Sequence, residues 1–212
     1  IITCTEAMIL KEPPKDLVVI GGGAIGIEFA FFYNIFGAKV TVVEMLENIL
    51  PVEDKEVSQT LEKIFKKKGI EILTKSSVEK AEVKGDKVLL KIQSESKTKE
   101  IFADVVLNSI GVVGNIENIG LEQLGIVTEK NHIKVDKRTY RTNIENIYAI
   151  GDVIGPPWLA HVASAEGINC VEGIKGIDIQ PINYDSIPGC TYCLPQVASI
   201  GLTEDKARQA GY

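Results

Sequence analysis

Residues 17–44 read LVVIGGGAIGIEFAFFYNIFGAKVTVVE, and what this stretch becomes decides the fold. A four-residue apolar run, Leu17 to Ile20, stops at Gly21, Gly22 and Gly23, and a further glycine follows at Gly26. A helical pattern then carries to a second β-rich run, Lys39 to Val43, which ends on Glu44. This is GxGxxG between a strand and a helix, with an acid closing the next strand, the arrangement that holds a dinucleotide. Gly21 permits the tight turn, Gly23 lets the backbone approach a pyrophosphate, and Gly26 lets helix and strand pack closely. The pyrophosphate would rest on unpaired N–H groups at the helix N-terminus, where the macrodipole favours negative charge. A carboxylate at Glu44 accepts hydrogen bonds from a ribose diol and repels a 2′-phosphate, which favours NAD over NADP.

Working outward, residues 1–16 read as a tether that Pro13 and Pro14 end. The fingerprint helix should run from Ala24 to Phe36, with Gly37 as its left-handed stop. A second helix is expected from Asp54 or Lys55 to Lys68, with Val57, Leu61, Ile64 and Phe65 on one face. Acids crowd its start and Lys66, Lys67 and Lys68 its end, as the helix dipole favours. Ile70 to Leu73 is a third parallel strand. Ser77 to Val83 and Lys87 to Gln93 form a hairpin around Gly85, with a third piece at Lys99 to Phe102, and Asp104 to Ile110 returns to the parallel sheet. Short strands are expected at Ile133 to Val135 and Asn146 to Ile150, a helix from Leu159 or Ala160 to Ile174, and a linker from Pro181 to Asp185. Strands within Thr191 to Leu202 then precede a helix capped by Thr203.

Composition narrows the classes. A formal charge of −6 offers no basic field, so nucleic acid is not an expected partner. The longest apolar stretch is the fingerprint itself, broken by Glu28, Asn34 and its glycines, which argues against a membrane span. The first ten residues lack the basic region of a secretory signal, and the four scattered cysteines suit a reducing compartment. The chain opens without a methionine, which reads as a segment of something larger.

Four segments together resemble the pyridine nucleotide disulfide oxidoreductases, and among them the dihydrolipoamide dehydrogenases. They are VVIGGGAIGIEFA at 18–30, VTVVEMLENILPVEDKEV at 40–57, NIYAIGDVIGPPWLAHVASAEG at 146–167 and YDSIPGCTYCLPQVASIGLTEDKARQAG at 184–211. They cover most of the chain in order. The resemblance implies an α/β fold: a Rossmann-like NAD-binding domain with a parallel sheet and an antiparallel three-stranded excursion, a partial FAD-domain segment, and the start of an α+β interface domain. The implied bounds are a connector at 1–14, the NAD-binding domain at 15–124, a central segment completing the FAD domain at 125–185, and a truncated dimerisation domain from 186 to 212. The implied cofactors are NAD and FAD, with electrons passing from dihydrolipoamide through a redox disulfide and FAD to NAD. The implied partners are dihydrolipoamide on the lipoyl domains of 2-oxoacid dehydrogenase or glycine cleavage complexes, and a second copy in a homodimer. The implied location is the cytoplasm, or the mitochondrial matrix or a plastid in a eukaryote.

Carried over position by position, the resemblance assigns Gly21, Gly22, Gly23, Ala24, Ile25, Gly26 and Glu28 to the NAD fingerprint, with Glu28 toward the nicotinamide end. Glu44 is the ribose-binding acid, and Val78 and Gly111 make backbone contacts to the cofactor. Gly151 and Asp152 match the second flavin motif, the Asp152 carboxylate accepting from the ribityl chain. Trp158, Leu159, Ala160 and His161 match the segment packed by the flavin at a helix N-terminus.

Departures accompany the match. Gly111 is followed by Val112, Val113, Gly114 and Asn115 where the family commonly has a basic, proline-bearing sequence. The first FAD fingerprint and the CxxxxC redox pair are expected before residue 1, and the catalytic His with its Glu partner after residue 212. The chain alone is therefore expected to contain no catalytic residue and to be inactive. Cys190 and Cys193 form a CxxC, but one pair cannot complete a four-ligand zinc site, and on a strand the two would point to opposite faces. No metal is expected. Cys4 and Cys170 read as incidental thiols, His132 as a surface loop residue and His161 as a packing residue. Two alternatives stay open: another disulfide reductase of the family (mercuric or glutathione reductase, or an NADH oxidase), and an NAD-binding module without chemistry.

Overall fold

The computed structural model describes residues 1–95 and 97–212, which divide into two compact units. The first comprises Ile1–Gly111 with Pro188–Tyr212, and the second Val112–Ile187.

The first unit is built on β1 (Asp16–Ile20), β2 (Lys39–Val43), β3 (Glu71–Leu73) and β7 (Val105–Asn108), a parallel sheet in the order β3-β2-β1-β7. Between β3 and β7 the chain forms β4 (Ser76–Lys84), β5 (Lys87–Ser94) and β6 (Thr98–Ala103), an antiparallel sheet in that order. These strands are apolar because both faces of the parallel sheet are covered. Side chains alternate in direction along a strand. Leu17, Val19, Val40, Val42 and Leu107 therefore pack with α2 (Ala24–Ile35) and α3 (Lys55–Lys67), through Ile27, Ala30, Tyr33, Leu61 and Phe65. Val18, Val43 and Val106 pack on the other face against Val88, Leu90 and Ile92 of β5. The antiparallel excursion is thus the second covering layer. α3 starts at Asp54, whose carboxylate accepts from Glu56 N, and ends with Lys66 and Lys67 in its last turn.

The amino-terminal segment is not a tether. Ile2 bridges Leu107 in parallel, with Ile2 N donating to Val106 O at 2.8 Å and Asn108 N to Ile2 O at 2.9 Å. The short helix α1 (Cys4–Ala7) follows, and its Ala7 carbonyl accepts from the Tyr33 hydroxyl. Backbone pairing of this kind leaves no periodic signature in so short a stretch. At the other end, β10 (Gly189–Thr191) and β11 (Val197–Ser199) form a hairpin and α6 (Glu204–Gln209) follows. Cys193 and Val197 join the core of the first unit, and Glu204 N donates to Asp54 Oδ2 at 2.9 Å. Thr203 caps α6, its hydroxyl accepting from Lys206 N.

The second unit contains α4 (Leu121–Leu124), β8 (Thr128–Glu129), β9 (His132–Ile133) and α5 (Ala160–Ile174). Lys130 and Asn131, with φ of 50° and 61°, form the two-residue turn between β8 and β9. Asn146 to Ile150 is not a strand in a sheet: its pairing is one antiparallel bridge between Tyr148 and Arg141. Asn146 is left-handed, with φ of 64°, and Ile147 and Ala149 pack into a small cluster with Leu121, Ile126 and Ile133. Apolar alternation here reports burial without a ladder. Among the described residues no helix is long and apolar enough to cross a membrane.

Candidate functional site

The glycine loop of the first unit lies at the carboxyl edge of β1. Gly21 has φ of +105°, and its N–H donates to Val43 O at 2.9 Å. A Cβ on Gly21 would lie 2.5 Å from Ser109 O, and one on Gly26 would lie 2.0 Å from Gly21 O and 2.7 Å from Ser109 Oγ. Both glycines are therefore demanded by close backbone approach. Ser109 Oγ also lies at 2.9 Å from Ile20 O and 3.1 Å from Gly21 O, which fastens the loop to the segment after β7. Gly23 differs: among the described residues nothing lies within 4 Å of a Cβ placed there. It is the N-cap of α2 and supplies no side-chain cap, so the first-turn N–H groups, those of Ala24 and Ile25 included, take no bond from a capping side chain. The residues thus fit a dinucleotide's pyrophosphate, with packing at Gly21 and Gly26 and room at Gly23.

Glu44 is 7% exposed. Its Oε2 accepts from Gly22 N at 2.6 Å and its Oε1 from Leu46 N at 2.7 Å. Each oxygen keeps a lone pair for a ribose hydroxyl, while the two backbone bonds hold the carboxylate beside the loop. That second task was not legible in the sequence. Met45 and Leu46 next to it are exposed and apolar. Ser76 N donates to Glu44 O at 3.0 Å, so β4 starts beside the acid. Val78 follows two residues on, its side chain packed toward β5 and a register shift immediately after it. Gly111 is exposed beyond β7. Gly21 to Gly26 and Glu44 are therefore brought together, with the start of β4 adjoining.

Glu28 sits on the second turn of α2, half-buried, with Oε1 accepting from Tyr192 N at 2.7 Å. The structure gives it a task in holding the β10–β11 hairpin. An apolar hollow of about 600 Å³ beside it, lined by Met8, Phe29, Phe32, Phe36 and Tyr192, includes none of the loop glycines. Cys190 is exposed on β10, whereas Cys193 is buried in the turn after it and is not on a strand as expected. Both thiols are free. Burial first, then the Glu28 charge, pushes the Cys193 thiol up to about 11.

In the second unit, Gly151 opens a 3-10 turn, Gly151–Ile154, with φ of +71°. Asp152 is exposed, and among the described residues its carboxylate makes no hydrogen bond or ion pair. Ahead of α5, Trp158 is 37% exposed, Leu159 is the half-buried N-cap without a side-chain cap, and Ala160 and His161 are exposed on the first turn. A carboxylate and an uncapped helix start are groups that fit a ribityl chain and an anionic ring. His132 is no surface loop residue: it lies on β9, half-buried, its ring stacked on Trp158 with centroids 5.9 Å apart. Its Nε2 is buried without a partner among the described residues. Sequence reading also missed Glu166, 2% exposed on α5, whose Oε2 accepts from Gly151 N at 2.7 Å. An acid at that helical position carries no sequence signal that distinguishes it from a solvated one.

A parallel sheet with a glycine loop at its carboxyl edge and an acid at the end of the adjoining strand defines a Rossmann-like fold. Residues 1–167 match the sequence profile of the pyridine nucleotide-disulphide oxidoreductases, and the chain belongs to that family. It is 52% identical to dihydrolipoyl dehydrogenase of Zymomonas mobilis over 96% of this chain and 44% of that protein. To the Bacillus subtilis dihydrolipoyl dehydrogenase it is 42% identical over 100% of this chain and 45% of that protein. The chain thus spans less than half the length of these relatives. Among solved structures, LpdA from Mycobacterium tuberculosis superposes with a TM-score of 0.89 at 29% identity, covering 99% of this chain and 45% of that one. The flavoprotein disulfide reductase RclA from Escherichia coli matches with a TM-score of 0.89 at 29% identity, covering 99% and 48%.

Proposed function

We propose that this chain is the nucleotide-binding part of an NAD-dependent dihydrolipoyl dehydrogenase, a flavoprotein acting on dihydrolipoamide carried by lipoyl domains. The observation that supports this most is the loop in which Gly23 is open while Glu44, tied to Gly22 N, stands beside it, flanked in sequence by Val42, Val43, Met45 and Leu46. In this reading the first unit binds NAD: loop and α2 N–H groups take the pyrophosphate, and Glu44 takes the ribose diol. The second unit contributes to the flavin site through Gly151, Asp152 and the segment Trp158 to His161. FAD, when bound, supplies the relay of two electrons between dithiol and NAD. The chain carries no CxxxxC pair, so on its own it binds cofactor without turning over. The complete protein works as a homodimer in the cytoplasm, in company with 2-oxoacid dehydrogenase or glycine cleavage complexes.

Titration calorimetry with NADH and NADPH tests the reading. NADH is expected to bind at least ~10-fold more tightly than NADPH, and Glu44→Arg to reverse the order. Equal affinities in the unsubstituted protein would refute the role of Glu44. No binding of either would refute the NAD site.

A further inference from the structure

The buried acid beneath the second glycine turn has a partner on each oxygen. Glu166 Oε2 accepts from Gly151 N at 2.7 Å, and Oε1 accepts from the Tyr184 hydroxyl at 2.7 Å. Tyr184 comes from a separate 3-10 turn, Tyr184–Ser186. Acids are almost never this buried unless paired, and a hydrophobic residue of similar volume at such a site often gives equal or greater stability. Stability is therefore a poor reason for an acid here. What a carboxylate supplies is a short, strong, directional acceptor. Gly151 has a left-handed φ and packs so closely on α5 that a Cβ would lie 3.2 Å from Ala163 Cβ. Its N–H direction fixes the plane of the peptide that leads into the turn, and so the course of the chain at Asp152.

The rest of the cluster reinforces this. Lys137 Nζ lies 5.1 Å over the Tyr184 ring and 3.4 Å from Ile154 O, so the turn is held at its far end as well. Tyr140 is fully buried, and its hydroxyl adjoins that of Tyr184 without reaching an acceptor at good geometry among the described residues. Burial, then Glu166 and Tyr140, raises the ionisation of Tyr184, which keeps it a donor across the ordinary pH range. Asp152, one residue beyond the anchored N–H, is exposed with its carboxylate uncommitted among the described residues. The framework spends its buried charge on the glycine and leaves the neighbouring acid facing outward.

We propose that Glu166 and Tyr184 are positioning residues for the flavin site, acting through Gly151 to hold the Asp152 carboxylate toward the ribityl hydroxyls. This rests on the flavin reading of Asp152 given above. Neither residue touches the cofactor in this assignment, so their effect on binding must pass through Asp152.

The test uses the complete protein as expressed from its gene, stripped of flavin, with FAD affinity read by quenching of flavin fluorescence. Tyr184→Phe, which keeps the ring and its lysine contact, is expected to weaken FAD binding ~5-fold, in line with one lost hydrogen bond to a charged group. In an Asp152→Ala background the same substitution is expected to change affinity by less than ~2-fold, because coupled residues are non-additive. Glu166→Gln, whose amide oxygen still accepts from Gly151 N, should stay within ~3-fold of the parent, and Glu166→Ala should lose ~10-fold or more. If Glu166→Ala fails to fold, the Tyr184→Phe cycle decides. Equal weakening by Tyr184→Phe in both backgrounds, or none in the parent, overturns the inference. Should Asp152→Ala weaken FAD while both partners prove silent, the flavin reading survives and the positioning role falls. A complete protein that takes up no flavin overturns both.

Discussion

Two glycines of one loop, three residues apart, should respond to the same methyl group in opposite ways. At Gly26 an alanine Cβ would lie 2.0 Å from Gly21 O, 2.7 Å from Ser109 Oγ and 3.1 Å from Val19 Cγ1. Carbon and oxygen need about 3.3 Å, so the Gly21 carbonyl must move by about an ångström. That carbonyl belongs to the strand-to-helix turn and has no slack. Overpacking of this kind costs about 1–3 kcal/mol, and here the clash is with backbone, at the upper end. Alanine in a helix interior returns about 1 kcal/mol. The net loss of about 2 kcal/mol should lower the melting temperature by about 4–8 °C in a chain of this size. At Gly23 a Cβ meets nothing within 4 Å among the described residues, and φ is −73°. Alanine there forfeits at most about 1 kcal/mol of capping, or about 3 °C. It fills the space assigned to the pyrophosphate, and NADH affinity should fall ~10-fold or more, as for one misplaced methyl in a close-fitting site. Thermal unfolding by circular dichroism and NADH titration on both variants separate the two. Gly26→Ala melting with the parent, or Gly23→Ala binding NADH unchanged, would refute the division into packing and ligand space.

Other outcomes follow from the same geometry. Asp104 is held below the usual carboxylate range, first by the Asp16 N–H at 2.8 Å and then by Lys87 at 3.1 Å. A depressed carboxyl adds stability above its unfolded pKa of about 3.9 and loses it as pH falls through the folded value. Asp104→Asn should thus be less stable than the parent at neutral pH and converge on it as the pH falls through the folded value of that carboxyl, which melting curves at several pH values would check. Convergence at high pH instead would contradict the sign. Iodoacetamide at pH 8 should label exposed Cys190 well before Cys193, whose thiol is buried and shifted up to about 11, with both labelled in urea. Equal native rates, read by mass spectrometry, would count against the burial of Cys193. Glu28→Ala frees Tyr192 N and should loosen the β10–β11 hairpin, seen as faster amide exchange over residues 189–199 with the parallel sheet still protected. Uniform loss of protection would show that Glu28 serves the whole unit.

The motif residues were legible because they obey local rules. Leu17 to Ile20 must be a strand buried on both faces, Gly21 must turn, and Thr203 must start a helix, since each depends on neighbours a few residues away. The excursion from Ser76 to Ala103 announced itself by alternation and Gly85. Asn146 to Ile150 misled for the same reason: alternation reports burial, and a ladder also needs a neighbour with free backbone groups. His132 looked like loop because nothing nearby in sequence foretells Trp158, 26 residues on, stacking against it.

What the sequence by itself determined is the glycine loop between strand and helix and the acid that closes the next strand, because a tight turn into a helix needs only glycines and a strand at fixed spacing. Tertiary structure alone decided which residues hold those parts still. Glu44 reaching back to Gly22, Ile2 pairing beside β7, Glu28 gripping Tyr192, and Glu166 with Tyr184 beneath Gly151 all join residues far apart in the chain. A carboxylate reads the same in sequence whether it faces water or an N–H. Only the folded backbone places the donor that gives it a task.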